Sequence, residues 1–280
     1  MKKRGLESLV AGMTTMAALC FSAGALAQAA EIDHAKADAE FAKFRAEMED
    51  SNPAELFELK GEELWKAKRG PKNVSLAESC DMGLGIGKLE GAYVQSPRYF
   101  ADADKVMDAE RRIVWCMTEK QGFKFEDIAK KPFSSGDFTP DITSLVTFVA
   151  GHSRNMKFAV PMKDPNVKEV WEIGKEITSY RAGPYDFSCN TCHGSDGKRI
   201  RMQNLPNISK PEGAIKGVFG WPGYRMTGGV MLTSQWRMND CFRLQRFPEP
   251  KYASDTVTAL LTYMTANSNG QMYKGPGIKR

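Results

Sequence analysis

The chain has 280 residues, 42% of them hydrophobic, with 39 Lys plus Arg against 34 Asp plus Glu and a formal net charge of +5. That apolar share excludes a disordered or collagen-like chain, and the length allows one large domain or two of ordinary size. Lys2, Lys3, Arg4 and Glu7 lie within the first 27 residues, so the charge excess on the remainder is too small to argue for nucleic acid.

Residues 1–27 read as a cleaved export signal. Lys2-Lys3-Arg4 is followed by the apolar stretch Leu9 to Leu26 and by Ala25-Leu26-Ala27, a small-x-small pattern that signal peptidase accepts. Cys20 leaves with that segment. No later stretch is apolar for long enough to span a bilayer. The sequence therefore predicts a soluble chain starting near Gln28 in an extracytoplasmic compartment, where disulfides persist.

Residues 28–69 are rich in Ala, Glu, Lys and Asp and place Phe41, Phe44 and Met48, then Leu56, Leu59 and Leu64, at helical spacing; they read as an N-terminal helical extension. Further helices are expected over Val106 to Thr118, from Asp141 through Phe148, over Val167 to Tyr180, and from Asp255 through Tyr263. Strand-like alternation is nearly absent, so the fold class is mainly α. Three landmarks recur in order: Thr139-Pro140-Asp141 with Ala253-Ser254-Asp255, Ser79-Cys80 with Ser188-Cys189, and Trp115-Cys116 with Asp240-Cys241. Together they suggest a duplicated unit, over 70–160 and 161–280, with the Pro161 and Pro165 region as linker.

Cys189-Asn190-Thr191-Cys192-His193 is a C-x-x-C-H motif, in which two thiols form thioethers with a haem and the adjacent His reaches the iron. A zinc site would want a second Cys/His pair close by, and a thioredoxin-like dithiol a preceding strand; neither context is present. The sequence thus calls for one covalently attached haem c. Its second axial ligand could come from His34, His152, Met226, Met231, Met238 or Cys241. His34 sits in the polar arm, His152 follows a helix C-terminus, and each Met has an ordinary use as core filler.

Cysteine arithmetic favours Cys241. Five cysteines remain after export, and the motif takes Cys189 and Cys192. If the duplication holds, Gly83 and Leu84 stand where the first half would need its second Cys and its His, so that half holds no such haem. Cys80 and Cys116 are then expected to pair, closing a loop of about 36 residues worth roughly 3 to 4 kcal/mol, and Cys241 stays free. Arg237 lies one helical turn before Cys241, with Arg243 nearby, so positive charge is expected to depress the thiol pKa and attract an anion.

These residues resemble the SoxA subunits of the SoxAX thiosulfate-oxidising cytochromes. The resemblance is carried by the exported two-half layout, by Cys189-Asn190-Thr191-Cys192-His193-Gly194, and by Trp236-Arg237-Met238-Asn239-Asp240-Cys241, and it covers nearly all of the mature chain. It implies two cytochrome c-like domains in tandem and, because of Gly83 and Leu84, membership of a one-haem branch with a disulfide in the first half. It implies haem attachment at Cys189 and Cys192, axial ligation by His193 and by Cys241 carried as a persulfide, and substrate binding by Arg237. The implied activity is that of a periplasmic L-cysteine S-thiosulfotransferase. Such an enzyme couples thiosulfate oxidatively to a cysteine of a SoxYZ-type carrier, with electrons passing to a SoxX-type cytochrome subunit and then to a small c-type acceptor.

Overall fold

A computed structural model describes residues 34–48, 51–130, 133, 141–200 and 203–279; the export signal read over 1–27 lies outside them. Helix α1 (His34–Glu47) is amphipathic only weakly, as its run of Ala, Lys, Asp and Glu dictates. The His34 side chain is outside the described residues. Residues 45–280 form one body, built around two crossed helix pairs.

In the first pair α2 (Ala54–Lys66) packs on α6 (Asp141–Gly151). Gly61 makes the approach close: a Cβ there would fall on the Ser144 carbonyl and the Phe148 side chain. In the second pair α7 (Pro165–Ser179) packs on α11 (Asp255–Asn267), and a Cβ on Gly174 would fall on the Ala259 carbonyl and meet Tyr263. Small residues at a crossing let two backbones come within reach that larger side chains deny. The sequence reading groups residues 54–66 with an N-terminal extension. In the structure Ala54, Gly61 and Trp65 are buried and α2 is one arm of the first crossing.

Along the chain, an antiparallel strand pair that feeds a helix comes between the two helices of each pair. Strands β1 (Arg98–Phe100) and β2 (Lys105–Met107) lead into α4 (Ala109–Glu119), whose N-cap Asp108 accepts from the Arg111 N–H. Strands β5 (Gly223–Arg225) and β6 (Val230–Leu232) lead into α10 (Ser234–Leu244), whose N-cap Thr233 accepts from the Trp236 N–H. Strands β1 and β2 pack on α7, and β6 packs on α6. Every strand and helix boundary of this second ladder and its helix lies 125 residues after its counterpart in the first, so Cys116 and Cys241 take the same position on their helices. The remaining elements are α3 (Leu76–Ser79), α5 (Phe125–Ile128), α8 (Cys189–His193), β3 (Arg199–Ile200), β4 (Gln203–Asn204), α9 (Pro211–Val218) and β7 (Gly277–Lys279), which joins β5 in parallel. Strands of two or three residues are too short to leave an alternating pattern in a sequence, which is why none was expected.

The main core joins Trp65, Leu76, Ile113, Leu145 and Val149 to Val257 and Leu260, and at its centre Cys80 and Cys116 form a disulfide, both fully buried. Gly83 has φ +96°, and the Arg98 side chain occupies the space a Cβ would need. A cysteine at 83 would be strained by the backbone and would need the Arg98 side chain to move.

The two units meet at the N-termini of α4 and α10. Gln235 Nε2 donates to Asp108 Oδ1 at 2.9 Å, Thr258 Oγ1 to Asp108 Oδ2 at 2.8 Å, and Tyr252 Oη to Glu110 Oε1 at 2.8 Å. Burial pushes the Glu110 carboxyl up to about 8 with help from the Asp108 charge, against the hydrogen bonds from Thr233 and Tyr252. Glu110 is thus a neutral acid at pH 7 and carries no buried charge.

Candidate haem and sulfur site

The motif cysteines are placed by a five-residue helix. Ser188 closes a capping box on α8: its Oγ accepts from the Thr191 N–H at 3.2 Å, and Thr191 Oγ1 accepts from the Ser188 N–H at 3.0 Å. A cap that satisfies both orphan N–H groups lets so short a helix hold, and puts Cys189 and Cys192 one turn apart on one face. His193 Nδ1 donates to the Pro206 carbonyl at 2.8 Å, which leaves Nε2 as the unprotonated nitrogen. The Ile208 N–H bonds the His193 carbonyl at 3.0 Å, fixing the same residue from its backbone.

Cys241 comes from α10. The Cys241 charge raises Cys189, the Cys192 charge raises Cys241, and Arg237 acts on both Cys241 and His193, so these five groups share one electrostatic neighbourhood. Burial pushes the Cys189 thiol up to about 11. Burial also pushes Cys241 up, and Arg237 opposes it without prevailing; the depressed thiol expected from the nearby arginines is corrected by the structure. The same burial moves His193 down, so its imidazole is neutral at pH 7 and free to act as a ligand.

This donor set fits a covalently held haem c. Two thiols one turn apart would supply thioether positions, an imidazole with its tautomer fixed would supply a ligand nitrogen, and the third thiol, on α10, acts electrostatically on the motif cysteines. Of the other ligands considered, the side chains of His152, Met231 and Met238 pack in other surroundings. His152 packs edge-on against Phe148 at 4.8 Å, and its charge acts on Glu58 and Glu62 of α2. Met231 is fully buried on β6, Met238 belongs to the main core, and the Met226 N–H bonds the Lys279 carbonyl at 3.1 Å.

Sequence reasoning missed Asp240, although it stands inside the motif that was read. The residue is 6% exposed and bridges two arginines, accepting from Arg237 Nη1 at 2.9 Å and from Arg243 Nη2 at 2.7 Å. Its i−3 and i+3 spacing to both was the available signal. Also missed was Arg112, which takes in the first unit the position of Arg237. It is buried between the Phe100 and Trp115 rings and paired to Asp102 at 2.8 Å, so this arginine is closed off from any ligand. Of the basic residues after the motif, Arg199 lies exposed on β3 and Arg201 is outside the described residues.

The fold and donor set define the class: the chain carries a c-type cytochrome domain, and the model of the SoxA/TsdA cytochrome c domain family matches residues 60–158. That match starts within α2 and covers the disulfide-bearing unit. The chain is 43% identical to the L-cysteine S-thiosulfotransferase subunit SoxA of Hydrogenophilus thermoluteolus over 98% of its own length and all of the relative's. It is 31% identical to the subunit of the same name from Hydrogenobacter thermophilus, over 81% of this chain and 82% of that one. A chain of the crystal structure of SoxXA from P. pantotrophus superposes with a TM-score of 0.68 at 26% identity, covering 85% of this chain and 84% of that one. The chain belongs to the SoxA family. Among the described residues no helix is long and apolar enough to cross a membrane.

Proposed function

We propose that this chain is the catalytic subunit of a periplasmic L-cysteine S-thiosulfotransferase, joining thiosulfate to a cysteine of a SoxYZ-type carrier. The relatives' name supports the activity, and the reading is carried by one observation: Cys241 and Arg237 share an electrostatic neighbourhood with the C-x-x-C-H residues. The two crossings and the two ladder–helix units support a pair of tandem cytochrome c-like domains. In this reading the first domain starts with α2, near residue 54, and has a disulfide where its partner has a haem. One haem c would be held covalently by Cys189 and Cys192, with His193 and Cys241 supplying its iron ligands.

The coupling takes a carrier thiol and thiosulfate to a cysteine S-thiosulfonate, releasing one proton and two electrons as one S–S bond forms. Haem, when bound, would chiefly tune and protect the Cys241 sulfur at low potential, and the electrons would pass to a SoxX-type subunit and a small c-type acceptor. The chain's residues supply the rest. Thiosulfate is a dianion and is repelled by an anionic sulfur, so a cation must stand at the approach. Arg237 is that cation: its side chain is 36% exposed, open to an incoming ligand, and its guanidinium is aimed by buried Asp240. Cys241, carried as a persulfide, offers a sulfur through which the two-electron oxidation is divided into smaller exchange steps.

The test is a reconstituted mixture of this chain, its partner cytochrome, the carrier, thiosulfate and an oxidised c-type acceptor, read by the mass of the carrier cysteine. The reading predicts a thiosulfonate on the carrier with the native chain and none with Cys241→Ala. Equal product from both would overturn it.

A further inference from the structure

The chain contains an internal precedent for what its second unit does without haem. In the first unit the cysteine on α4 is joined to the cysteine that ends α3, and α3 packs on α4. In the second, Cys241 occupies on α10 the position of Cys116 on α4, each following its ladder and N-cap by the same number of residues. Cys189 aligns with Cys80 through the Ser-Cys pairs Ser79-Cys80 and Ser188-Cys189. Cys189, Cys192 and Cys241 are the free cysteines among the described residues, and their charges act on one another.

We propose that Cys189 and Cys241 are a latent disulfide pair in the haem-free exported chain, the counterpart of Cys80–Cys116. This inference rests on the matched-unit reading and on haem attachment at Cys189. The step is thiol–disulfide exchange: the two S–H bonds are lost, one S–S bond forms between Cys189 and Cys241, and a protein or glutathione disulfide takes the two electrons and two protons to become two thiols. Once formed, the link removes Cys189 as a thioether donor and Cys241 as a sulfur acceptor together. Haem attachment then requires a reductant first, and attached haem prevents the link from forming.

The experiment uses the full haem-free chain, prepared reduced and equilibrated with a glutathione/glutathione disulfide buffer, alkylated, digested without reductant and mapped by mass spectrometry. The expected result is Cys189–Cys241 beside Cys80–Cys116, with Cys192 alkylated. A Cys189–Cys192 or Cys192–Cys241 link, or alkylated Cys189 and Cys241 beside an intact Cys80–Cys116, overturns the proposal. A second measurement stands apart from refolding: the haem-loaded share of chain exported under limiting reductant, for native and Cys241→Ser. The variant should load at least about twofold more, with the difference abolished by added dithiothreitol; equal loading overturns the proposal. Neither readout involves thiosulfate, so failure of the coupling reaction leaves both unchanged.

Discussion

Replacing both Cys80 and Cys116 by alanine should weaken the first unit while leaving the chemistry of the second in place. The bond links residues 36 apart, and the chain-entropy relation for a loop of that length gives about 13 cal/mol/K, or about 4 kcal/mol at 25 °C. Both sulfurs are fully buried, so truncation adds a smaller loss of packing on top. The assay is guanidinium unfolding followed by tryptophan fluorescence, to which Trp65 and Trp115 in the same core contribute, with haem absorbance read in parallel for the second unit. The fluorescence transition should fall by about 4 kcal/mol, and carrier coupling at 25 °C should survive while the variant stays folded. A loss below about 1 kcal/mol would refute the reasoning, because the bond would then be constraining a chain already held by its core.

Glu110→Gln should change the pH dependence of stability. The folded state keeps the Glu110 proton up to about 8, whereas the unfolded chain releases it near 4.5, so native stability declines between those pH values and levels off above them. The variant should lose that decline, read as denaturant midpoints across the window; an unchanged slope would contradict the buried neutral acid. Gly174→Ala drives a methyl onto the Ala259 carbonyl and should cost about 1 to 3 kcal/mol or more by thermal unfolding, with Gly61→Ala matching it at the Ser144 carbonyl. Arg237→Ala should lower kcat/KM for thiosulfate by about 10- to 100-fold, the worth of one charged hydrogen bond, and Arg237→Lys should restore part of it. Steady-state kinetics with saturating carrier checks both.

Five of the six described helices of eleven residues or more after α1 were legible because their apolar spacing is local, and Ser254 starts one as its side chain suggests; the helix expected from Val106 begins only at Ala109, after strand β2. The C-x-x-C-H motif and the Arg-x-x-x-Cys spacing were legible for the same reason. What was not legible depends on tertiary contact. Gly61 and Gly174 look like poor helix residues in a sequence, and only the crossings show why each stands there. The ladders feeding α4 and α10 leave no periodic signal. The rise of the Cys241 thiol came from burial, which spacing does not report, and that burial outweighed the arginine that spacing did report.

The claim at the centre of this account is that Cys241 is the sulfur-handling ligand beside a haem on Cys189 and Cys192. Peptide-resolved mass spectrometry of the mature protein, without reductant and before and after thiosulfate, tests it most directly. The expected result is one haem on the Cys189–Cys192 peptide, a Cys80–Cys116 link, and an extra sulfur or thiosulfate-derived group on Cys241. A Cys241 that carries no added mass and stays unreactive with the partner cytochrome and carrier present would contradict it.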